Sequence, residues 1–548
     1  MNHLYYGDNL TVLRDDIAAE SVDLIYLDPP FNSKRDYNLL FKSPKGHESE
    51  AQIEAFEDTW HWNEQAEREF DELLHQPNTD VAAMMQALRG FLGENDLMAY
   101  LTMMANRLLE LHKVLKSTGS LYLHCDPTAS HYLKVVLDHV FGKERFLNEI
   151  TWKRTTAHND PKRYGRICDR LLFYSKTAKI TFHPMGGDYS PEQLARYKYV
   201  EQTADGPRRY RAENLTAPHF SKTRTVPWRG THPGVDRQWR FGLDELDRLY
   251  AEGRILLKRD GTPRKDGLKE YYNVAEGPAL QDVWTDVAMA PMAAERLGYP
   301  TQKPLALLER ILLASSNEGD VVLDPFCGCG TAVHAAQKLG RQWIGIDITH
   351  LAISLIEKRL KDAFYDKAKT PAEQELQFAV HGTPKDLAGA RHLAQLSEHD
   401  GRYQFQWWAV SLVEAQPFQG KKKGADKGID GVKYFHDTDA KGARKAVVSV
   451  KSGKLKADDV RALNHVRERE AAEFGYLLTL EPPSAGMVKD AASAGFYTSA
   501  TGKKYPRVQV LTIEGLMTGT QRAEHPDAAP VNFKQAKKEA KGEQAELL

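Results

Sequence analysis

Short apolar runs and longer stretches of helical period alternate along much of this chain, and the places where the alternation fails divide it. The run Ser21-Val-Asp-Leu-Ile-Tyr-Leu27 reads as a buried strand that stops at Asp28-Pro29-Pro30-Phe31. Residues 43–117 read as mainly helical, most strongly over 100–115, until Ser117-Thr-Gly119 ends the pattern and Ser120-Leu-Tyr-Leu-His124 begins a strand. A helix is predicted over Ser130–Phe141. The rhythm breaks over 178–290, where Gly, Pro and Arg fall irregularly around one predicted helix, Leu243–Ala251. It resumes over 291–365 with helices at Leu305–Ser315, 331–339 and 351–360 and strands at 321–323 and 342–346. Residues 366–400, rich in Ala, Lys, Glu and Asp, read as a linker with some helix; 401–520 form a second α/β module, and 521–548 a flexible tail. Strand–helix alternation of this kind predicts a parallel sheet.

Composition narrows the class. A chain of 548 residues with 41% hydrophobic and 27% charged residues suits a globular protein of several domains. The first residues lack a signal pattern and no run approaches 18 apolar residues, so a cytoplasmic location without membrane attachment is expected. Four cysteines (Cys125, Cys168, Cys327 and Cys329) do not make a disulfide framework, and Cys327-x-Cys329 lacks the second pair that zinc needs. The net charge of −1 hides an asymmetry: residues 152–272 hold 25 Lys and Arg against 15 Asp and Glu, with aromatics interleaved. That stretch fits either a phosphate-backbone footprint or a solvated basic surface.

Two strand-ending strings carry chemistry. In Asp324-Pro325-Phe326-Cys327-Gly328-Cys329-Gly330 the glycines permit close backbone approach, and Thr331 is placed to cap the next helix. Asp347 ends the following strand, where a carboxylate can accept both ribose hydroxyls of a nucleoside. No third glycine follows, and the opening acid, Asp324, disfavours pyrophosphate and favours a sulfonium over a dinucleotide. A tight structural turn is the alternative. In Asp28-Pro29-Pro30-Phe31 two prolines stiffen a loop that offers the Asp28 carboxylate, the Pro29 carbonyl and the flat face of Phe31. Two acceptors and a stacking face suit a heteroaromatic amino group, whose delocalised lone pair must be freed before it can attack a methyl group. A strand-terminating turn with an exposed Phe is the alternative.

Together these strings resemble the amino DNA methyltransferases of the β circular permutation, in which the catalytic motif precedes the cofactor loop. Tyr6-Gly7-Asp8-Asn9, Gly119-Ser-Leu-Tyr-Leu-His-Cys-Asp126 and Tyr299-Pro-Thr-Gln-Lys-Pro304 extend the resemblance over about residues 1–362. It implies an α/β, Rossmann-like S-adenosylmethionine-dependent methyltransferase fold, split as 1–177 and 291–365 around an inserted target-recognition domain at 178–290. It also implies catalytic Asp28, Pro29, Pro30 and Phe31. Asp8 and Asn9 would lie near the cofactor adenine, Asp347 on the ribose, Thr301 and Lys303 near the methionine carboxylate, with Asp324, Phe326, Gly328 and Gly330 completing the loop. The implied substrate is double-stranded DNA, with a flipped base stacked on Phe31. Asp at the head of the motif implies adenine N6; cytosine N4 is the alternative.

Gly428-Ile-Asp430-Gly431 and Lys445-Ala-Val-Val-Ser-Val-Lys451 read as a hairpin that resembles the Mrr-like restriction-endonuclease fold, giving a C-terminal α/β domain at 401–520. In that fold an Asp and a Glu or Gln two residues before a Lys hold Mg²⁺ and activate water. Here Ser449 stands two before Lys451, a poor ligand, while Glu414 on a helix predicted over 407–414 is a further candidate beside Asp430. A Mg²⁺-dependent nuclease, a degenerate DNA- or partner-binding fold and a coincidental hairpin all stay open. A bifunctional restriction–modification enzyme, and a homodimer or a restriction or defence subunit as protein partner, are the accompanying expectations.

Overall fold

The computed structural model describes residues 1–30, 37–42, 48–56, 61–155, 162, 164–203, 206–273, 277–288, 295, 302–366, 376–395, 401–418, 428–437, 443–526 and 538–539, with 37–42, 48–56, 401–403 and 443 as backbone only. Phe31 and Thr301 lie outside the described residues, as does most of the tail.

Nine strands build the main sheet among the described residues: β1 (Asn2–Tyr6), β2 (Val22–Leu27), β3 (Leu115–Cys125), β4 (Phe146–Lys153), β5 (Cys168–Ser175), β6 (Val283–Trp284), β7 (Val321–Asp324), β8 (Gln342–Asp347) and β9 (Phe378–His381). Their spatial order is β6-β4-β5-β3-β2-β7-β8-β1-β9, and β5 alone runs against the others. Burial on both faces explains the nearly continuous apolar runs Leu24–Leu27 and Leu121–Leu123. The helix Asp96–Val114 is buried almost all round, and with Ser130–Phe141 it packs into the largest core cluster, beside Leu27, Leu123 and Tyr174.

Several expectations shift. Glu48–Phe56, within the stretch read as helical, is a strand paired with Tyr37–Lys42, so cross-strand pairing overrides its Glu- and Ala-rich propensity. Phe378–His381, within the segment read as a linker, adds a parallel edge strand beside β1. Residues 521–526 are tied down: Gln521 Oε1 accepts from the Thr512 amide at 2.7 Å and the Glu524 amide donates to Gln509 Oε1 at 2.8 Å.

Residues 184–281 form a compact unit of their own. Its antiparallel sheet runs Ile255–Leu257, Pro263–Tyr271, Gly206–Glu213, Tyr199–Thr203, and its core joins Trp228 and Trp239 to Leu246 and Leu249 of the helix Leu243–Ala251. The C-terminal module has a five-stranded sheet in the order Gln416–Pro417, Gly431–His436, Ala443–Lys451, Phe474–Thr479, Val508–Thr512. Period-two alternation sends Val448 and Val450 to one face, with Phe405 and Trp408, and Val447 to the other, with Val460 and Leu463.

Candidate functional site

Four carboxylates stand at the carboxyl ends of four adjacent strands: Asp28 after β2, Asp324 closing β7, Asp347 closing β8 and Asp8 after β1. Open α/β sheets bind ligands at this edge. Asp28 is half-buried. Its Oδ2 accepts from the Lys303 ammonium, and its Oδ1 is buried with no hydrogen-bond partner among the described residues. Lys303 is only 8% exposed. An unpaired buried carboxylate oxygen costs free energy, so it marks a place where a ligand donor belongs.

The glycine loop closes on Asp347. The Gly328 amide donates to Asp347 Oδ2 at 2.9 Å, while the Thr349 amide and hydroxyl donate to Oδ1 at 2.9 and 2.8 Å. A carboxylate has about four acceptor positions, so the one left on Oδ2 suits a single hydroxyl donor rather than two. Burial raises the Asp347 pKa to about 6 despite these donors. Asp324 is 4% exposed and accepts from the Phe326 amide at 3.1 Å; burial, then the nearby Asp28 and Asp347, push its carboxyl up. Gly330 sits at φ 73°, and a Cβ there would lie 2.7 Å from Ile356 Cγ1, so both conformation and packing require glycine. Thr331 does not cap its helix. The N-cap is Gly330 without a side-chain bond, and the Thr331 hydroxyl accepts from Arg359 at 3.1 Å.

Two arrangements escaped the sequence reading. Arg107, 6% exposed on the helix Asp96–Val114, donates to Asn9 Oδ1 at 2.6 Å and Asp8 Oδ1 at 2.9 Å. Asn9 in turn donates to the Pro325 carbonyl at 2.8 Å, so a single buried guanidinium ties the Asp8 turn to the glycine loop. On the other side of Asp28, Tyr26 OH and His124 Nδ1 lie 3.2 Å apart, and His124 Nε2 and Asp169 Oδ2 3.1 Å apart. The signal for both was weak: the partners of Arg107 lie some hundred residues earlier in the chain, and nothing in spacing pairs His124 with Asp169.

The C-terminal module is arranged differently. Asp430 Oδ2 accepts from the Val450 amide at 2.6 Å and the Ser449 hydroxyl at 3.3 Å. Lys451 lies 3.8 Å from Asp459. The helix ends at Ser411 rather than 414, so Glu414 falls in a turn at φ 53° and pairs with Lys433 at 3.4 Å. Among the described residues no three His, Cys, Asp or Glu are grouped to hold a metal, and the donor set seen here does not fit Mg²⁺. Residues 419–427 lie outside the described residues.

In the inserted unit, residues 214–242 hold five Lys and Arg against one Asp, whereas the rest of 184–281 holds twelve against thirteen. Arg229 pairs with Asp247. Among the described residues Lys222, Arg224, Arg237 and Arg240 have no carboxylate partner. Arg237 and Arg240 instead donate to carbonyls of Thr216 and Asn214, and Phe220 beside them in sequence is 64% exposed.

A family model described as DNA methylase matches residues 22–358, and one described as restriction endonuclease matches 400–495. Type II methyltransferase M.EcaI of Enterobacter cloacae is 33% identical over 264 residues, 48% of this chain and 57% of that protein. The type III restriction-modification enzyme StyLTI Mod subunit of Salmonella typhimurium is 26% identical over 353 residues, 61% of this chain and 50% of that subunit. This chain thus spans about half the length of both. DNA adenine methyltransferase YhdJ of Escherichia coli is 25% identical over 371 residues, 68% of this chain and 86% of YhdJ. Among solved structures, a DNA modification methylase of Thermus thermophilus, TTHA0409, complexed with S-adenosyl-L-methionine, aligns with TM-score 0.32 and 15% identity, over 70% of this chain and 98% of its own.

Proposed function

The chain belongs to the DNA methylase family, and from that premise we propose that it is a site-specific DNA methyltransferase acting on adenine N6 in double-stranded DNA, in restriction–modification or phage defence. The observation that carries this reading is the buried, unpartnered Oδ1 of Asp28 at the carboxyl edge of the sheet. Asp28 Oδ1 and the Pro29 carbonyl accept the two N–H bonds of the flipped base and draw its lone pair out of conjugation; Phe31 stacks on the ring. As the nitrogen takes the methyl group, the methyl–sulfur bond would break with its electron pair left on a neutral thioether, and the proton the nitrogen sheds would pass to Asp28. Asp rather than Ser at position 28 supports adenine over cytosine.

Bound beside this loop, S-adenosylmethionine would supply an electrophilic methyl group on a cationic sulfur. The donor chemistry fits: four carboxylates suit a cationic, hydroxyl-bearing ligand and repel a pyrophosphate. Asp347 accepts from a ribose hydroxyl, Asp8 and Asn9 hold the adenine side, and Asp324, Phe326, Gly328 and Gly330 shape the loop. Lys222, Arg224, Arg237 and Arg240 supply phosphate contacts from the inserted unit. Host DNA sequenced with base-modification detection, with and without this gene, should show N6-methyladenine in one motif only when the gene is present. Methylcytosine in that motif would instead favour the N4 reading.

The restriction-endonuclease match over 400–495 favours a second reading, in which the C-terminal module cuts DNA with Mg²⁺. The engaged Asp430 and the Ser449 substitution support instead a module that binds DNA or a partner subunit. Mg²⁺-dependent cleavage of unmodified DNA that Asp430→Ala abolishes would establish the nuclease.

A further inference from the structure

Lys303 stands where three acids meet. Its ammonium bonds Asp28 Oδ2, and its field also acts on Asp324 and Asp169. Among the described residues the neighbouring elements bring further acids toward Asp28. Asp324 closes the adjacent strand β7, with Asp347 next to it on β8, and Tyr26 precedes Asp28 on β2 and feels its charge. The other neighbour, β3, contributes His124, hydrogen-bonded to Asp169, which Arg154 approaches at 3.5 Å. Left alone in such company a buried carboxyl is driven toward its neutral form, both by desolvation and by like charge. A protonated Asp28 would offer a donor where the amine needs an acceptor.

We propose that Lys303 is a positioning residue for Asp28. Its ammonium holds Oδ2 and offsets the repulsion of the acidic neighbours, so that Oδ1 is presented to the N–H of the incoming amine. This gives Lys303 a task distinct from contact with the cofactor carboxylate, and it rests on the reading of the Asp28 loop as the methyl-acceptor site. The ion pair fixes the carboxylate rotamer by one oxygen only. That accounts for an otherwise costly arrangement, in which one oxygen of the same buried group is bonded and the other bare.

The test uses the full chain, with S-adenosylhomocysteine binding by calorimetry and single-turnover methyl transfer across pH. Lys303→Met should leave the dissociation constant within about threefold, slow transfer about 10²-fold at neutral pH, and move the acidic limb of the rate profile upward by about one pH unit. Lys303→Arg should restore the limb and most of the rate, which also guards against a folding defect in the Met variant. The double variant Asp28→Ala/Lys303→Met should be no slower than Asp28→Ala, because the second change acts only through the first. A 10²-fold loss of cofactor binding with the limb unmoved, or additive losses in the double variant, would overturn the proposal. Full transfer by Asp28→Ala alone would overturn the acceptor-site reading itself, a separately visible failure.

Discussion

Asp28 and Asp430 both stand in strings that resemble motifs of catalytic carboxylates, yet the fold treats them in opposite ways. At Asp28 one oxygen pairs with Lys303 and the other is buried and bare. At Asp430 one oxygen accepts from the Val450 amide and the Ser449 hydroxyl, Lys451 lies 3.8 Å from Asp459, and Glu414 faces Lys433. A carboxylate that gives one oxygen to a strand amide and a neighbouring hydroxyl ties its own hairpin together. One kept short of a donor is set up to receive one. Motif identity locates a carboxylate, while the donors the fold gives it decide what it is free to bind.

The comparison breaks most sharply at Asp28. Asp28→Ala should lower the rate of methyl transfer about 10³-fold or more while leaving cofactor affinity nearly unchanged, read by single-turnover kinetics and calorimetry. Equal loss of both would place the acid in the cofactor site instead. Arg107→Met should destabilise the fold by about 2–3 kcal/mol in chemical denaturation and weaken cofactor binding. The cost is set below that of a fully buried ion pair because Asp8 is 38% exposed.

Asp347 sharpens the electrostatic side. An acid whose folded pKa is raised by burial binds its proton more tightly in the native state, so a hydroxyl donor meets a carboxylate only above about pH 6. Cofactor affinity should therefore fall about tenfold per pH unit below that value, and Asp347→Asn should flatten the profile. Folding stability should decline as pH rises from the ordinary carboxylate range to about 6, since the native state holds the proton that the unfolded chain has released. Charge removal at Lys222 and Arg224 should reduce the salt slope of DNA binding by about two without changing the methylated motif, measured by titration at several ionic strengths. The smallest effect belongs to the other half of the comparison: Asp430→Ala should leave methyl transfer within about twofold.

Much of this architecture was legible in the chain. Ser130–Phe141 and Leu305–Ser315 carry clear helical period, and the Asp28 and Asp324 strings end strands as their Pro and Gly residues demand. What escaped depends on partners distant in sequence. Phe378–His381 is four residues long and is a strand because β1 offers it an edge. Arg107 reads as a polar helix position until Asp8 and Asn9, some hundred residues earlier, are brought to it. Glu414 reads as helical until the chain turns at a left-handed residue to reach Gln416–Pro417. The ion pair of Asp28 with Lys303 joins two recognised motifs in a way that neither motif announces.

The central claim is that Asp28 presents a carboxylate to a base amine. Its most direct test is nucleoside mass spectrometry of unmodified DNA after one turnover with isotopically methyl-labelled S-adenosylmethionine, wild type against Asp28→Asn. The wild type should yield labelled N6-methyladenine and the variant almost none, with both binding S-adenosylhomocysteine equally. Undiminished labelling by Asp28→Asn would contradict it.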